Sequence, residues 1–240
     1  MRYAVLGDIH ANLPALEAVF DHIGRTGVDA ILSVGDVVGY GANPRECLDM
    51  ARSEFHCSVS GNHDCGAVGR MDLSYFNADA RDAITWTNEV LDESHHSYLA
   101  GLPLTAEYDG IELVHSSPHH PENFSYIQTL YDASLAFSGF DEDIGFVGHS
   151  HVPTFFINTE PIDYFLVNRL EIPAGEQMLV NVGSVGQPRD LDSRACYVLF
   201  DTERNELSLE RVEYDISAAA DRIRKAGLPA TNAQRLQWGR

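Results

Sequence analysis

The sequence predicts a layered fold of the α/β or α+β class, in which helices cover extended β-sheet. Three observations support this. Short apolar runs alternate with amphipathic helical stretches in the first half of the chain, and the second half is mostly strand-like. The chain has 240 residues, which suits one domain. No Pro/Gly/Ser-rich linker and no internal repeat divides it, so we expect a single domain spanning residues 1–240.

The first half alternates strands and helices. Strands are predicted over 2–6, 30–34 and 55–60, where the chain is apolar and bounded by turn residues. The helix predicted over 12–27 places its apolar residues at helical spacing, with Pro14 in its first turn. The next helix opens at Asn43-Pro44 with a capping box closed by Glu46. Two further helices over 77–101 are expected to break near Asp92, where the apolar periodicity gives way to a polar stretch.

The second half is predicted to be mostly sheet. Apolar runs indicate strands over 111–114, 145–147, 155–157, 164–167 and 178–182. A hairpin over 196–200 and 206–212 should turn at 203–205. A helix over 215–226 is expected to close the chain, because Gly227 and Pro229 follow it.

The charge balance excludes some partners. The chain carries 36 acidic and 16 basic residues, for a formal charge of -20, and Lys225 is its only lysine. Such a chain is not expected to bind a nucleic-acid polymer or an anionic membrane. An acidic surface also repels phosphates, so phosphate chemistry here requires strong local positive charge, which bound divalent cations supply. A small phosphoester is the substrate that we expect.

Cysteine usage and the first residues bear on the cell compartment. The four cysteines are scattered without a C-x-x-C pair or a disulfide-framework spacing, which suits a reducing cytosol. Asp8 interrupts the first apolar run before a signal peptide forms, and no stretch approaches the about 18 apolar residues of a membrane span. We therefore expect a cytoplasmic protein; the oligomeric state stays open, a homo-oligomer included.

Asp, Asn and His residues, whose side chains commonly bind metal ions, follow the predicted strands directly. Because strand ends at one edge of a sheet converge, these side chains are expected to meet at one site. Residues two apart in an extended chain point to the same side, so Asp8 pairs with His10 and His149 with His151. The set comprises Asp8, His10, Asp36, Asn62, His63, Asp64, His115, His149 and His151.

Seven of these residues are candidate metal ligands, and their number indicates a dinuclear site. Oxygen and imidazole donors without cysteine favour Mn²⁺ or iron as Fe²⁺ or Fe³⁺, with Zn²⁺ also compatible. Seven donors exceed the needs of one tetrahedral ion and suit two ions that share a carboxylate. Two such ions lower the pKa of a bridging water and hold the attacking and leaving oxygens of a phosphoryl group. This chemistry is hydrolysis of a phosphomonoester or phosphodiester, nucleotides included.

The ordered motifs resemble those of the calcineurin-like metallophosphoesterases. D-x-H, G-D-x-x-G, G-N-H-[DE], H and G-H-x-H stand here at residues 8–10, 35–39, 61–64, 115 and 148–151. The segments DIHANLPALEAV and VNVGSVGQPRD look like the small bacterial and archaeal branch with phosphodiesterases and diadenosine-tetraphosphatase relatives. The resemblance implies an α+β, four-layer αββα sandwich with two mixed β-sheets.

The resemblance also implies roles for the site residues. One metal takes Asp8, His10 and His151. The other takes Asn62, His115 and His149, and Asp36 bridges the two ions, whose shared hydroxide attacks phosphorus. His63 is then the general acid toward the leaving oxygen, and Asp64 holds the His63 imidazole in orientation and raises its basicity.

Residues outside these motifs are candidates for substrate contacts. Arg189 follows a strand in a loop that suits bidentate binding of a phosphate. Asn62 faces the substrate as well as a metal, and Asn12 either caps the first helix or reaches the phosphate. Phe124 and Tyr126 either stack on a nucleobase or fill the core. The roles of His119, His120, Cys65 and the segment 72–102 stay open.

Two alternative functions compete with small-phosphoester hydrolysis. A serine/threonine protein phosphatase of this pattern usually carries G-N-H-E followed by arginine, whereas this chain has Asp64 and then Cys65. A noncatalytic scaffold, such as the phosphoesterase-like subunit of the retromer, tends to lose the histidine of the G-N-H motif. This chain keeps that histidine as His63, together with every candidate ligand.

Overall fold

The structure is a computed structural model that describes residues 1–240, and it contains twelve strands in two six-stranded sheets. In chain order the strands are β1 (Arg2–Leu6), β2 (Ala30–Ser33), β3 (Cys57–Ser58), β4 (Thr105–Tyr108), β5 (Ile111–Val114), β6 (Ile144–Val147), β7 (Thr154–Ile157), β8 (Asp163–Phe165), β9 (Arg169–Glu171), β10 (Met178–Asn181), β11 (Ala195–Asp201) and β12 (Glu206–Val212).

Both sheets are mixed. The first has the order β3-β2-β1-β11-β12-β9, in which β1, β2 and β3 are parallel and the other pairs are antiparallel. The second has the order β4-β5-β6-β10-β7-β8, in which β5, β6 and β10 are parallel. Each sheet therefore sends the carboxyl ends of three neighbouring parallel strands to one edge.

Eight α-helices accompany the sheets, and none of them is long and apolar enough to cross a membrane. They are α1 (Leu13–Thr26), α2 (Pro44–Glu54), α3 (Asn62–Ala67), α4 (Ala78–Val90), α5 (Glu93–Gly101), α6 (Leu130–Phe137), α7 (Ile216–Lys225) and α8 (Ala230–Trp238).

The buried residues divide into layers. Alternate residues of β1 point to opposite faces, so Ala4 and Leu6 pack with α1 and α2, while Tyr3 and Val5 pack against the second sheet. The outer face of the second sheet packs on α6, where Leu179 contacts the apolar side of that helix. The order is helices, sheet, sheet, helix, which confirms the predicted four-layer αββα sandwich.

Most predicted elements are confirmed, and the errors have physical reasons. The break near Asp92 is real, because the Asp92 side chain accepts the backbone N–H groups of Ser94 and His95 and caps α5. The strand predicted over 55–60 pairs only at Cys57–Ser58. The short strands β4 and β9 and the helices α3, α6 and α8 were not predicted, because their sequences carry weak apolar periodicity. The helix over 215–226 therefore does not close the chain.

The predicted capping box at Asn43 is not formed. The Asn43 side chain accepts no backbone N–H; instead its Nδ2 donates to Glu46 Oε1 at 2.9 Å. Its Oδ1 accepts from Arg222 of α7 at 3.1 Å. A tertiary contact with a helix distant in sequence has replaced the local cap.

Candidate metal centre and active site

The candidate site lies where the parallel strands of both sheets end. Asp8 follows β1, Asp36 follows β2, and Asn62 begins α3 after β3. From the second sheet, His115 follows β5 and the segment His149–His151 follows β6. The loop after β10 carries Arg189. All seven predicted ligands are buried, and the two sheets bring them to one place.

The backbone at the site is not extended, contrary to the argument from side chains two residues apart. Asp8, His10, Asp36, His149 and His151 all have positive φ angles, between 50° and 65°. This left-handed region is uncommon for residues other than glycine and costs free energy. The paired donors converge because tight turns aim them at the centre.

Two motif positions must be glycine because their backbone lies directly against a carboxylate of the site. A Cβ at Gly61 would overlap the carboxylate of Asp36, and a Cβ at Gly148 would overlap the carboxylate of Asp8. The absent side chains let the neighbouring loops contact these two carboxylates directly.

The first group of donors comprises Asp8, His10 and His151. Asp8 Oδ1 lies 3.1 Å from His151 Nε2 and 3.6 Å from His10 Nε2, and the two Nε2 atoms are 3.1 Å apart. Asp8 Oδ2 accepts the backbone N–H of His149 at 3.0 Å, whereas Oδ1 has no hydrogen-bond donor. One oxygen of this carboxylate is thus anchored and the other is directed at the two imidazoles.

The second group comprises Asp36, Asn62, His115 and His149. His115 Nε2 lies 3.2 Å from Asp36 Oδ2, 3.2 Å from Asn62 Oδ1 and 3.2 Å from His149 Nδ1. Asp36 Oδ2 also lies 3.7 Å from His10 Nε2 of the first group. Asp36 is therefore the carboxylate that both groups share, as the dinuclear interpretation requires.

In three of the histidines, a backbone carbonyl next to Nδ1 determines that Nε2 is the nitrogen that faces the centre. Nδ1 of His10, His115 and His151 lies 2.6 to 3.0 Å from the carbonyls of Val38, Val34 and Gln187 respectively. A carbonyl only accepts, so each Nδ1 carries the proton and each Nε2 of a neutral ring presents its lone pair to the site.

These donors fit metal ions. In the first group a carboxylate oxygen without a donor and two imidazole lone pairs face one another inside the protein, and such acceptors repel unless a cation lies among them. In the second group the Asn62 oxygen, the Asp36 carboxylate and His149 Nδ1 surround His115 Nε2 in the same way. Oxygen and imidazole ligands of this kind suit Mn²⁺, iron or Zn²⁺.

The protonation states reflect the same crowding. Burial disfavours ionisation of Asp8 and Asp36, but the surrounding histidines outweigh it and hold the pKa of both carboxyls well below the usual range. Burial lowers the pKa of His149 to about 3 and of His151 to about 4, aided by neighbouring positive groups. Burial also acts against the charged form of His115, yet the Asp36 carboxylate raises its pKa to about 9.

His63 lies beside both groups. Its ring is buried and packs against the rings of Tyr40, His10 and Phe76, with centroids 4.5, 4.8 and 5.2 Å away. Its Nδ1 has no hydrogen-bond partner. Burial lowers the pKa of His63 well below its usual range, and the Asp36 carboxylate opposes that shift. His63 also lies close enough to His10 and Asp36 for a shared ion, so proximity alone does not separate acid from ligand.

Asp64 does not have the predicted contact with His63. Its carboxylate accepts the backbone N–H groups of Asp36, Val38 and Gly61 at 2.8 to 3.1 Å. Burial and the Asp36 carboxylate raise the pKa of Asp64 to about 7, against the lowering effect of the Gly61 and Val38 amides. Asp64 lies in the first turn of α3 and points back at the loop after β2, so it holds that loop rather than orienting the imidazole.

Asn12 is also not free to bind substrate. Its Oδ1 accepts the backbone N–H of Ala15 and caps α1, while its Nδ2 donates to the carbonyl of Gly186 at 2.8 Å. Every polar atom of this buried side chain is engaged within the protein. The capping role that the sequence left open is the one that the structure shows.

A cavity of about 250 Å³ opens above the donors. Its floor includes Asp36, Asn62, His63, His149 and His151, and Arg189 lines it as well. The segment 72–102 contributes one wall, through the residues between Tyr75 and Ala80. Phe124 and Tyr126 line the cavity rather than filling the core, whereas His119 and His120 lie outside it on a loop.

Tyr40 is a site residue that the sequence analysis missed. It lines the cavity, its hydroxyl lies 3.4 Å from the Arg189 guanidinium, and the guanidinium stacks over its ring at 5.8 Å. The buried Asn232 of α8 donates to its backbone carbonyl at 3.3 Å. Tyr40 directly follows the G-D-x-x-G motif, and this position in the sequence could have identified it as a site residue.

Two mixed sheets with a histidine- and carboxylate-rich centre at their parallel strand ends define the class of metallophosphoesterase folds. The comparisons with known proteins agree. A family model described as the calcineurin-like phosphoesterase superfamily domain matches residues 1–205, and the chain belongs to that superfamily.

Three similar proteins each match 99% or more of the chain. An uncharacterized protein of Methanocaldococcus jannaschii is 40% identical over 242 residues, which cover 99% of this chain and 98% of that protein. The crystal structure of a metallophosphoesterase from Sphaerobacter thermophilus is 40% identical, with a TM-score of 0.90 over 100% of this chain and 99% of that one. A hypothetical protein of Pyrococcus horikoshii shares the fold at 22% identity, with a TM-score of 0.81 over 100% and 98% of the two chains.

Proposed function

We propose that this chain is a metal-dependent hydrolase of a small phosphomonoester or phosphodiester, with nucleotides among its candidate substrates. The observation that carries the proposal is the set of acceptors facing one another beneath the cavity. Asp8 Oδ1 and the Nε2 atoms of His10 and His151 lie within 3.6 Å of one another without a donor for the carboxylate oxygen. Membership in a phosphoesterase superfamily gives this arrangement its chemistry.

The ligand assignment follows the two groups. Asp8, His10 and His151 would hold one divalent cation, Asn62, His115 and His149 would hold the other, and Asp36 would serve both. When bound, the cations supply Lewis acidity that activates water and neutralises charge on the phosphoryl group. The carbonyls behind the imidazoles keep each ring in one tautomer and one orientation.

The remaining residues act on the substrate. Arg189 is the only arginine or lysine that lines the cavity, so its guanidinium pairs with phosphoryl oxygens and stabilises charge that develops during the reaction. The Tyr40 hydroxyl and ring hold that guanidinium over the cavity. His63 donates a proton to the leaving oxygen. A phosphate anion beside the imidazole favours the protonated, charged form of His63 that this role requires.

The first experiment measures hydrolysis of p-nitrophenyl phosphate and bis-p-nitrophenyl phosphate with added Mn²⁺, Fe²⁺ or Zn²⁺, with and without chelator. We expect turnover with at least one metal and none after chelation. His151→Ala should abolish turnover, and His96→Ala, on the surface of α5, is the matched control. Absence of activity on both esters with all three metals would refute the proposal.

The alternatives predict different outcomes. A serine/threonine protein phosphatase would turn over phosphopeptides faster than the nitrophenyl esters. A noncatalytic scaffold would be purified without metal even when chelators are avoided, which elemental analysis detects.

A further inference from the structure

We propose that the substrate carries a single phosphate and that one of its ester substituents bears a planar aromatic ring, which Tyr126 and Tyr75 contact at the opening of the cavity. The inference rests on the proposed function, because it names the kind of phosphoester that the site selects. It depends on which side chains line the cavity above the donors, and on how few of them are charged.

Tyr126 offers an open aromatic face next to the donors. Its ring stacks on the ring of His149, with the centroids 4.0 Å apart and the planes 21° from parallel. One face is thus occupied by a candidate ligand of the centre, and the side chain is still 46% exposed. A flat ring of the substrate can stack on the free face while the ester reaches the floor.

Tyr75 supplies a second aromatic surface from a different part of the wall. It lies at the end of the short 3₁₀ helix Leu73–Tyr75, lines the same cavity as Tyr126, and is 79% exposed. Its neighbour Phe76 packs its edge against His63 and fixes this segment to the site. Large exposed aromatic side chains on two separate segments around one cavity indicate a binding surface.

The segment before Tyr126 is held in a strained conformation that keeps an aromatic ring at the cavity. Phe124 has φ 48° and ψ 43°, in the left-handed region that a bulky residue rarely adopts. Its ring lies 6.2 Å from that of His115 and lines the cavity. Strain of this kind persists where surrounding structure enforces it, typically at functional sites.

The charges around the cavity limit the substrate to one phosphate. Arg189 is the only basic side chain among arginine and lysine in the lining, and Asp36 is the only acidic one. A chain with a net charge of -20 offers no favourable field to additional phosphates. A second phosphate on the substrate would find no further cation on the wall.

The test compares substrates that differ only in the aromatic ring. Adenosine 5′-monophosphate and methyl β-D-ribofuranoside 5-phosphate share the reacting ester and the fixed furanose ring, and the metal-loaded protein is assayed with both. From the strength of base stacking on one aromatic side chain, we expect kcat/KM to favour the nucleotide by about 5- to 150-fold. Adenosine 3′,5′-bisphosphate should gain nothing over the monophosphate.

Variants assign the preference to the tyrosines. Tyr126→Leu and Tyr75→Leu should each reduce the ratio of the two kcat/KM values, and the double variant should bring it close to one. Tyr126→Phe should keep the preference, because stacking needs the ring and not the hydroxyl. Tyr131→Leu removes a tyrosine that is 69% exposed but lies outside the cavity, and it should leave the ratio unchanged.

The outcomes separate this inference from the proposed function. If both substrates are hydrolysed with a ratio near one, or if the bisphosphate is preferred tenfold, the inference is wrong and the hydrolase proposal stands. Saturation-transfer NMR with adenosine 5′-monophosphate provides a readout without turnover. Transfer to the adenine protons that disappears in the double variant supports the inference, and transfer that persists there refutes it.

Discussion

The Nε2 atoms of His10 and His151 face each other at 3.1 Å, although 141 residues separate them and both rings point their Nδ1 at a backbone carbonyl. Asp8 Oδ1, which no hydrogen bond satisfies, lies beside both. A folded protein stabilises three such acceptors at this separation when a cation lies between them. Substitutions in and around this centre should therefore change metal content as well as rate, in ways that depend on each residue's role.

Removal of the shared carboxylate should affect both metals. Asp36 contacts donors of both groups, so Asp36→Ala is expected to lower the metal content of the protein to less than half, along with the rate. His115→Ala removes a donor of only one group and should spare the other ion. The measurement is elemental analysis of protein purified without chelators. Asp82→Ala, on the exposed side of α4, is the control, and an Asp36→Ala protein with full metal content would contradict the shared role.

Removal of His63 should separate acid catalysis from metal binding. His63→Ala is expected to keep both metals and to lose about 10²- to 10⁴-fold in kcat. The loss should be smaller for a nitrophenyl ester than for an alkyl or nucleoside ester, because nitrophenolate leaves without protonation.

The position of His63 near His10 and Asp36 makes the opposite result informative. If His63→Ala loses one metal and slows both kinds of ester equally, His63 is a ligand. Elemental analysis and kinetics with both esters on the same preparation distinguish the two roles.

Asp64 should act through the backbone of the site. Asp64→Asn replaces one carboxylate oxygen by an amide that cannot accept, so at least one of the buried N–H groups of Asp36, Val38 and Gly61 loses its partner. We expect the free energy of unfolding to fall by about 1 to 3 kcal/mol, with weaker metal binding. Chemical denaturation measures this, with Asp82→Asn as the control. Unchanged stability with an altered pH–rate profile would instead restore a proton-transfer role.

Glu112 should make stability depend on pH away from the site. Burial, together with Glu142 and the cross-strand partner Glu107, raises the pKa of Glu112 to about 7. The folded state therefore binds the proton more tightly than the unfolded state, whose pKa is about 4.3. The resulting stabilisation is present at low pH and is lost as pH rises through about 7.

The matched variant is Glu112→Gln, which cannot ionise. It should melt at a higher temperature than the parent at pH 8 and at nearly the same temperature at pH 4, which is below the pKa of about 4.3 of the unfolded carboxyl. Glu17→Gln, on the exposed face of α1, should show no such difference between the two pH values. An equal shift of the melting temperature at both pH values would contradict the role of ionisation.

The sequence by itself determined the fold class and brought out the seven candidate metal ligands that the structure places together. Apolar runs of strand length, each followed closely by Asp, Asn or His, are enough to place Asp8, Asp36, His115 and His149 at strand ends. This information is local, because a buried strand is apolar along its length and its polar residues can only lie where it leaves the core. The motif order then specified the family.

Only the tertiary structure decided which partners the polar side chains have. The Asp64 carboxylate accepts the backbone N–H groups of Asp36 and Val38, which lie in the loop after β2. The Asn12 side chain donates to the carbonyl of Gly186, 174 residues away. The helix α8, which the periodicity did not reveal, holds the loop of Tyr40 through Asn232. The physical reason is that a hydrogen-bonding group pairs with any partner of suitable geometry, and the chain segments that supply that geometry are brought together only when the strands pair and the helices pack on the sheets.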